Sequence, residues 1–386
     1  MKVLLAGVST RAAAASAAQA GFDVTAIDAF ADLDQHPSVD ARSLGDGFSP
    51  DAAARLAETI ACDAVAYGSN FENHPDAVAR LARGRALWGN ASDVLRRVRD
   101  PELLSETLRR CGFAAPTVLE PTPIPQSSQS PQSPIPNPQS PRLVKPRASG
   151  GGHGVGWWRE GMRVPRGSYI QEFIDGMPAS IVFVGARGRA VPLGLCRQLI
   201  GDAAFGGSGF RYCGNILTAA GEDDDVFEPA RALASALCEE FALVGVNGID
   251  MIVSAGVPCA IEVNPRWCAS MELVERAYGL SAFGVHAAAC RDEALPDFDL
   301  ARARRAAPTI GKAVVFARHG VTVADTSSWL GESRAAGDLH DVPRPGAQIR
   351  AGHPVCTVYA SGRGSAACYT ELVRRAARIH DAIAML

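Results

Sequence analysis

The chain has 386 residues, 47% of them hydrophobic and 20% charged, with a formal net charge of −3. That length asks for two or three domains, and that charge argues against nucleic acid as the main partner. The ten cysteines are scattered with no Cys-x-x-Cys pair, so they read as reduced thiols in a cytoplasmic setting rather than a disulfide or zinc framework, and no run is long enough to span a membrane.

Lys2 to Gly7 reads as a strand and Ala12 to Ala20 as a helix. Met1 to Ala20 has the outline of a signal peptide, but its apolar run is short and Arg11 interrupts it, so strand–turn–helix is expected. Phe22 to Asp28 and Asp63 to Tyr67 read as strands, as does the short run Ala86 to Gly89. Helices are expected at Ala52–Ala61 and Ala77–Leu81. This alternation predicts a parallel α/β sheet. The first turn, Gly7 to Arg11, lacks Gly-x-Gly-x-x-Gly, so dinucleotide binding there has little support. After the third strand comes Tyr67-Gly68-Ser69-Asn70-Phe71-Glu72, a polar cluster at a strand end, where parallel sheets bind ligands. Asn70 and Glu72 are substrate candidates there, with a capped turn as the alternative.

Asp100-Pro101-Glu102 combines an N-cap, a proline at the first helical position and a first-turn acid, and predicts a helix to about Cys111. Residues 121–141 are proline, serine and glutamine with little else, the composition of an exposed polyproline-like loop. Leu143-Val144-Lys145 then opens a strand that runs into Gly150-Gly151-Gly152-His153-Gly154. The only lysines are Lys2, Lys145 and Lys312, so a lysine delivered to a glycine-rich loop is informative. Glycine lets backbone N–H groups approach phosphate oxygens, and lysine adds a compact charge. Tyr169-Ile170-Gln171-Glu172-Phe173-Ile174 follows as a strand whose backbone between Glu172 and Ile174 suits an adenine edge.

Arg197 lies in the strand Gly194 to Gln198 and is a candidate for holding a substrate carboxylate, with an ion pair as the alternative. Phe205 to Phe210 is a second glycine-rich loop, and Phe227 to Phe241 reads as a long amphipathic helix. The most telling stretch is Ile261-Glu262-Val263-Asn264-Pro265-Arg266, where strand alternation puts Glu262 and Asn264 on one face. A hairpin from Asn247 to Val253 through Ser254–Gly256 would bring Asp250 beside Glu262. Hard oxygen ligands so grouped suit Mg²⁺ with phosphate, and Arg266 beyond the strand end lies within reach of those phosphates.

Taken in order, these motifs resemble the ATP-grasp superfamily across roughly residues 90–294. The resemblance implies an α/β protein, an ATP-grasp fold with an N-terminal Rossmann-like domain. Residues 1–90 form that domain, 91–300 the ATP-grasp domain and 301–386 a small C-terminal strand-rich lobe. It implies an ATP-dependent ligase that makes ADP and phosphate through an acyl phosphate, joining a small carboxylate to an amine. By the same resemblance Lys145 contacts phosphates, with Arg266 and Arg197 beside it in the reaction. Gly150, Gly151, Gly152 and Gly154 cap the phosphates, Gln171, Glu172, Phe173 and Ile174 surround the adenine, and Asp250, Glu262 and Asn264 hold Mg²⁺, or Mn²⁺ in its place. Two positions depart from the family pattern. Pro178 stands where many relatives carry a ribose-binding acid, and near Asp100 only Arg97 and Arg99 are available in place of a second nucleotide-contacting lysine. Val342–Gly346 and Pro354–Val358 resemble a biotin-carboxylase-related carboligase group associated with methylofuran and methanopterin-type cofactor synthesis. The competing readings are an ATP-binding sensor or scaffold without turnover and a small-molecule kinase. No membrane or nucleic-acid partner is expected, and homodimerisation stays open.

Overall fold

The computed structural model describes residues 1–119, 141–330 and 338–384. The proline-rich stretch expected at 121–141 lies, but for Pro141, outside the described residues. The N-terminal portion is a five-stranded parallel sheet in the spatial order Val39–Ser43, Asp23–Asp28, Lys2–Ala6, Ala64–Tyr67, Ala86–Trp88. The strand Val39–Ser43 is an addition to the sequence reading. It is short, polar and half-exposed, so it carries no apolar run to signal it. Helices begin where the chain supplies caps. Ser49 accepts from the Ala52 amide ahead of Pro50–Ala57, and Asp100 accepts from the amides of Glu102 and Leu103 ahead of Pro101–Arg110. A further helix, Ser92–Val98, precedes the latter and has no side-chain cap.

Most of the remaining chain builds one antiparallel eight-stranded sheet. Its order is Val257–Asn264, Gly245–Ser254, Met177–Ala186, Arg189–Ile200, Tyr212–Leu217, Thr309–Phe316, Pro354–Gly362 and Leu339–His340. The C-terminal segment therefore extends the central sheet through Thr309–Phe316 and Pro354–Gly362. Alternation along Met177–Ala186 sorts its side chains. Ile181 and Phe183 bury against the helix Asp224–Phe241, while Val182 and Val184 face the helices Met271–Tyr278 and Ala282–Asp292. Each fully buried side chain of this size contributes about 1.5–3 kcal/mol. A four-stranded antiparallel sheet (Val118–Leu119, Ser168–Glu172, Arg142–Pro146, Gly156–Trp158) completes the molecule. The N-terminal portion docks through Trp88 and Phe22, both packed on Phe283 of Ala282–Asp292.

Candidate active site

A cleft of about 1400 Å³ runs between the four-stranded sheet, the eight-stranded sheet and the C-terminal strand ends of the N-terminal portion. Its floor is set by register. Asp250 pairs directly with Glu262 in the antiparallel ladder, and Asn264 lies two residues on, so all three share one face. Asp250 accepts from Asn264 Nδ2 at 2.9 Å and from Gln198 Nε2 at 2.8 Å. Burial and then the neighbouring Glu262 push the Asp250 carboxyl up to about 6. Burial would raise Glu262 too, but Arg99 and Lys145 outweigh it and hold Glu262 below the ordinary carboxylate range.

Arg99 is the residue that sequence reasoning left as a fallback. Its guanidinium pairs with Glu262, and it donates to the Val263 carbonyl at 3.0 Å, Asn73 Oδ1 at 2.8 Å and the Ser149 carbonyl at 3.3 Å. Arg97 points elsewhere, over the Phe241 ring and to the Glu240 carbonyl. One N–H on the Arg99 fork, Nε, is buried without a partner among the described residues. The signal in the sequence was only its place one residue before a strong N-cap.

Across the cleft, Lys145 is buried, donates to Gln171 Oε1 at 3.0 Å and lies 5.9 Å from the Tyr169 ring centroid. The loop beyond it needs its glycines. Gly152 has φ +74°, and a Cβ there would sit 1.8 Å from the Phe210 carbonyl oxygen. The Tyr212 amide donates to the Gly151 carbonyl at 3.0 Å, so the two glycine-rich loops are in contact. Trp157 stands between Phe173 and Phe210, with centroids 4.8 and 5.4 Å away. Ser168–Glu172 is an interior strand of its sheet. The Glu172 amide bonds the Thr117 carbonyl, its carboxylate takes the Thr117 amide, and the Phe173 amide bonds the Pro141 carbonyl. The backbone stretch read as an edge is therefore partly engaged within the protein.

Three sequence candidates take other positions. Arg197 is one residue out of phase with the cleft-facing Gln198. It points to the other side of the sheet and makes a bidentate pair with Asp223 at 2.8 and 2.7 Å, so it is not available to a substrate in the cleft. Glu72 is 1% exposed and pairs with Arg266 at 2.7 Å, a structural link between the two portions of the chain. Asn70 takes a left-handed turn at φ +78° and accepts from Asn73. Neither lines the cleft, where Gly68 and Ser69 stand instead. Arg266 does line it, and also donates to Asn264 Oδ1 at 3.2 Å. Sequence reading missed Ser180, Tyr212 and Asn215, cleft-lining residues whose Ser180 Oγ, Tyr212 Oη and Asn215 Oδ1 are buried without partners among the described residues. Lone polar residues inside apolar strands are their only trace.

Comparison with known proteins bears on the fold. Residues 103–270 match the family model described as an ATP-grasp domain. The chain is similar in structure to an L-amino acid ligase from Bacillus licheniformis, with a TM-score of 0.70 at 15% identity over 97% of this chain and 96% of that one. N5-carboxyaminoimidazole ribonucleotide synthetase from Thermus thermophilus gives 0.67 at 18% identity over 97% of each chain. Rhizobium etli pyruvate carboxylase gives 0.71 at 14% identity over 97% of this chain, which spans only 37% of that longer one. No curated protein gives a significant sequence match.

Proposed function

We propose that the protein is an ATP- and Mg²⁺-dependent carboxylate–amine ligase, because residues 103–270 match the ATP-grasp domain model and the chain is similar in fold to such ligases along nearly its whole length. The observation that carries this reading is the Asp250–Glu262 ladder pair, with Asn264 on the same face, in one cleft with Lys145 and the glycine-rich loop. Two carboxylates and a carboxamide are an all-oxygen donor set, which fits Mg²⁺. These residues would hold the ion, which when bound neutralises charge on phosphate oxygens.

The chain's own residues then have the following roles. Lys145, oriented by Gln171, neutralises charge on the phosphates, and the amides of Gly150 to Gly154 cover them. Arg99 and Arg266 supply two planar forks beside the metal ligands. The Glu172 and Phe173 amides are engaged within the protein, and in this reading the Glu172 carbonyl and the Ile174 amide serve the adenine edge. A substrate carboxylate oxygen attacks the γ-phosphorus, the bond to the bridging oxygen of ADP breaks, and an acyl phosphate forms. The amine attacks its carbonyl carbon, phosphate leaves, and the nitrogen gives up a proton. Contact between the two glycine-rich loops excludes water, which would otherwise hydrolyse the intermediate.

The same reading extends to Mn²⁺ as a substitute for Mg²⁺, a cytoplasmic setting, a homodimer, and a place in methylofuran or methanopterin-type cofactor synthesis. The last rests on the C-terminal phrases alone. The test is ADP release from MgATP across pairs of acids and amines. ADP and phosphate should require the acid, and hydroxylamine should convert the acid to a hydroxamate. Lys145→Ala should abolish that trapping, because no other lysine among the described residues lines this end of the cleft. Release of AMP and pyrophosphate would overturn the route.

A further inference from the structure

The cleft continues past the metal end, along the floor of the eight-stranded sheet, to a wall formed by the N-terminal portion. Ser180, Gln198, Asn215 and Lys312 follow one another across this floor on adjacent strands, on the face of Asp250. At the far end the positive groups are already committed. Arg11 pairs with Asp341 at 2.7 Å, Glu272 at 2.8 Å and Asp34 at 3.5 Å, and Lys312 pairs with Glu272 at 2.9 Å. Asp32 lines this end of the cleft and is 7% exposed. Among the described residues its carboxylate accepts no hydrogen bond and has no cation within ion-pair distance, although Asp34 and Asp341 lie close enough to repel it.

A buried carboxylate without a partner is expensive, and the cost disappears if a bound cation completes the pair. Burial and then Asp341 and Asp34 push the Asp32 carboxyl well above its ordinary range, and the attraction of Arg11, which is paired with other carboxylates, does not offset them. The orphaned Ser180 Oγ, Tyr212 Oη and Asn215 Oδ1 are a second and independent sign of a missing polar ligand on the same floor.

We propose that the end of the cleft walled by Asp32 binds a protonated amino group on the substrate, at the end remote from the reacting carboxylate and the metal ligands. The substrate class is thus a small amino acid or diamine whose ammonium pairs with Asp32 while its chain lies over Ser180, Tyr212 and Asn215. This deepens the ligase reading and rests on it for the identity of the reacting end.

The test uses the full chain loaded with MgADP and titrated calorimetrically with matched pairs: L-glutamate and glutarate, L-ornithine and 5-aminopentanoate, 1,4-diaminobutane and butylamine. At least one member with the additional ammonium group should bind about 10–100-fold more tightly than its partner, the worth of one charged hydrogen bond. Asp32→Asn should remove that preference without changing MgADP affinity, and Asp32→Glu should keep part of it. An unchanged preference in Asp32→Asn, or no preference in any pair, overturns the proposal. Asp32-dependent amine binding without ADP release from MgATP keeps the subsite and refutes the ligase reading. ADP release that ignores Asp32 does the reverse.

Discussion

Arg99→Ala removes a side chain that ties the Glu262 carboxylate, the 70s turn and the glycine-rich loop together. In the nucleotide-free protein the main loss is the charged pair with Glu262, worth about 1.5–3 kcal/mol for a hydrogen bond to an ionised group. The Glu262 side chain is 27% exposed and keeps Lys145 and Arg266 as positive neighbours, so the low end applies. The bonds to Asn73 and to the Ser149 carbonyl add about 0.5–1.5 kcal/mol each. Unfolding free energy should therefore fall by about 2.5–4.5 kcal/mol. Under the proposed function the same guanidinium serves the phosphates, and its loss should weaken MgADP by about 10–100-fold. Arg99→Lys should recover the charge but not the fork that serves four acceptors, and so restore only part of the affinity. Urea unfolding and MgADP calorimetry on the three proteins decide the matter. Wild-type MgADP affinity in Arg99→Ala would refute the assignment of Arg99 to the phosphate site, whatever happened to stability.

Glu262→Gln should leave the fold intact and lower the rate on the order of a thousandfold, from steady-state ADP release with saturating Mg²⁺. Gly152→Ala places a Cβ on the Phe210 carbonyl at positive φ. It should disturb the contact between the two loops and weaken MgADP binding at least about 10-fold by calorimetry, with little change in global unfolding because the loop is exposed. Glu272→Gln strands the buried Lys312, removes one of the three carboxylates around Arg11, and should cost about 3–5 kcal/mol in urea unfolding at pH 7. Burial opposes ionisation of Glu272, but Arg11 and Lys312 prevail and hold it well below its ordinary 4.5. Its contribution is therefore fully present above pH 4.5 and lost as pH falls toward the folded value, so the gap between wild type and variant should shrink in acid.

Legibility in the sequence followed the reach of each physical signal. The hairpin that pairs Asp250 with Glu262 could be read because it depends only on local alternation and a three-residue turn, and the ladder register has that pairing. The helix after Asp100 could be read because its cap, proline and acid are contiguous. Arg197 shows the limit of the same reasoning. Alternation says that Arg197 and Gln198 face opposite ways, but not which of the two faces the cleft. That is decided by the helix Asp224–Phe241, whose N-terminus offers Asp223 to Arg197 from the far side. Glu72 was noticed for its position at a strand end, yet its partner Arg266 is 194 residues away, and no local pattern announces such a pair. Asp32 and the orphaned floor residues were invisible for a related reason. They stand out for what they lack, and a missing partner can be seen only when every neighbour has been placed. A ligand-binding cleft leaves polar atoms unsatisfied by the protein itself. In this chain Ser180 Oγ is beside Asp250 in the ladder, and Asn215 Oδ1 stands further along the same floor, on the strand next to Lys312.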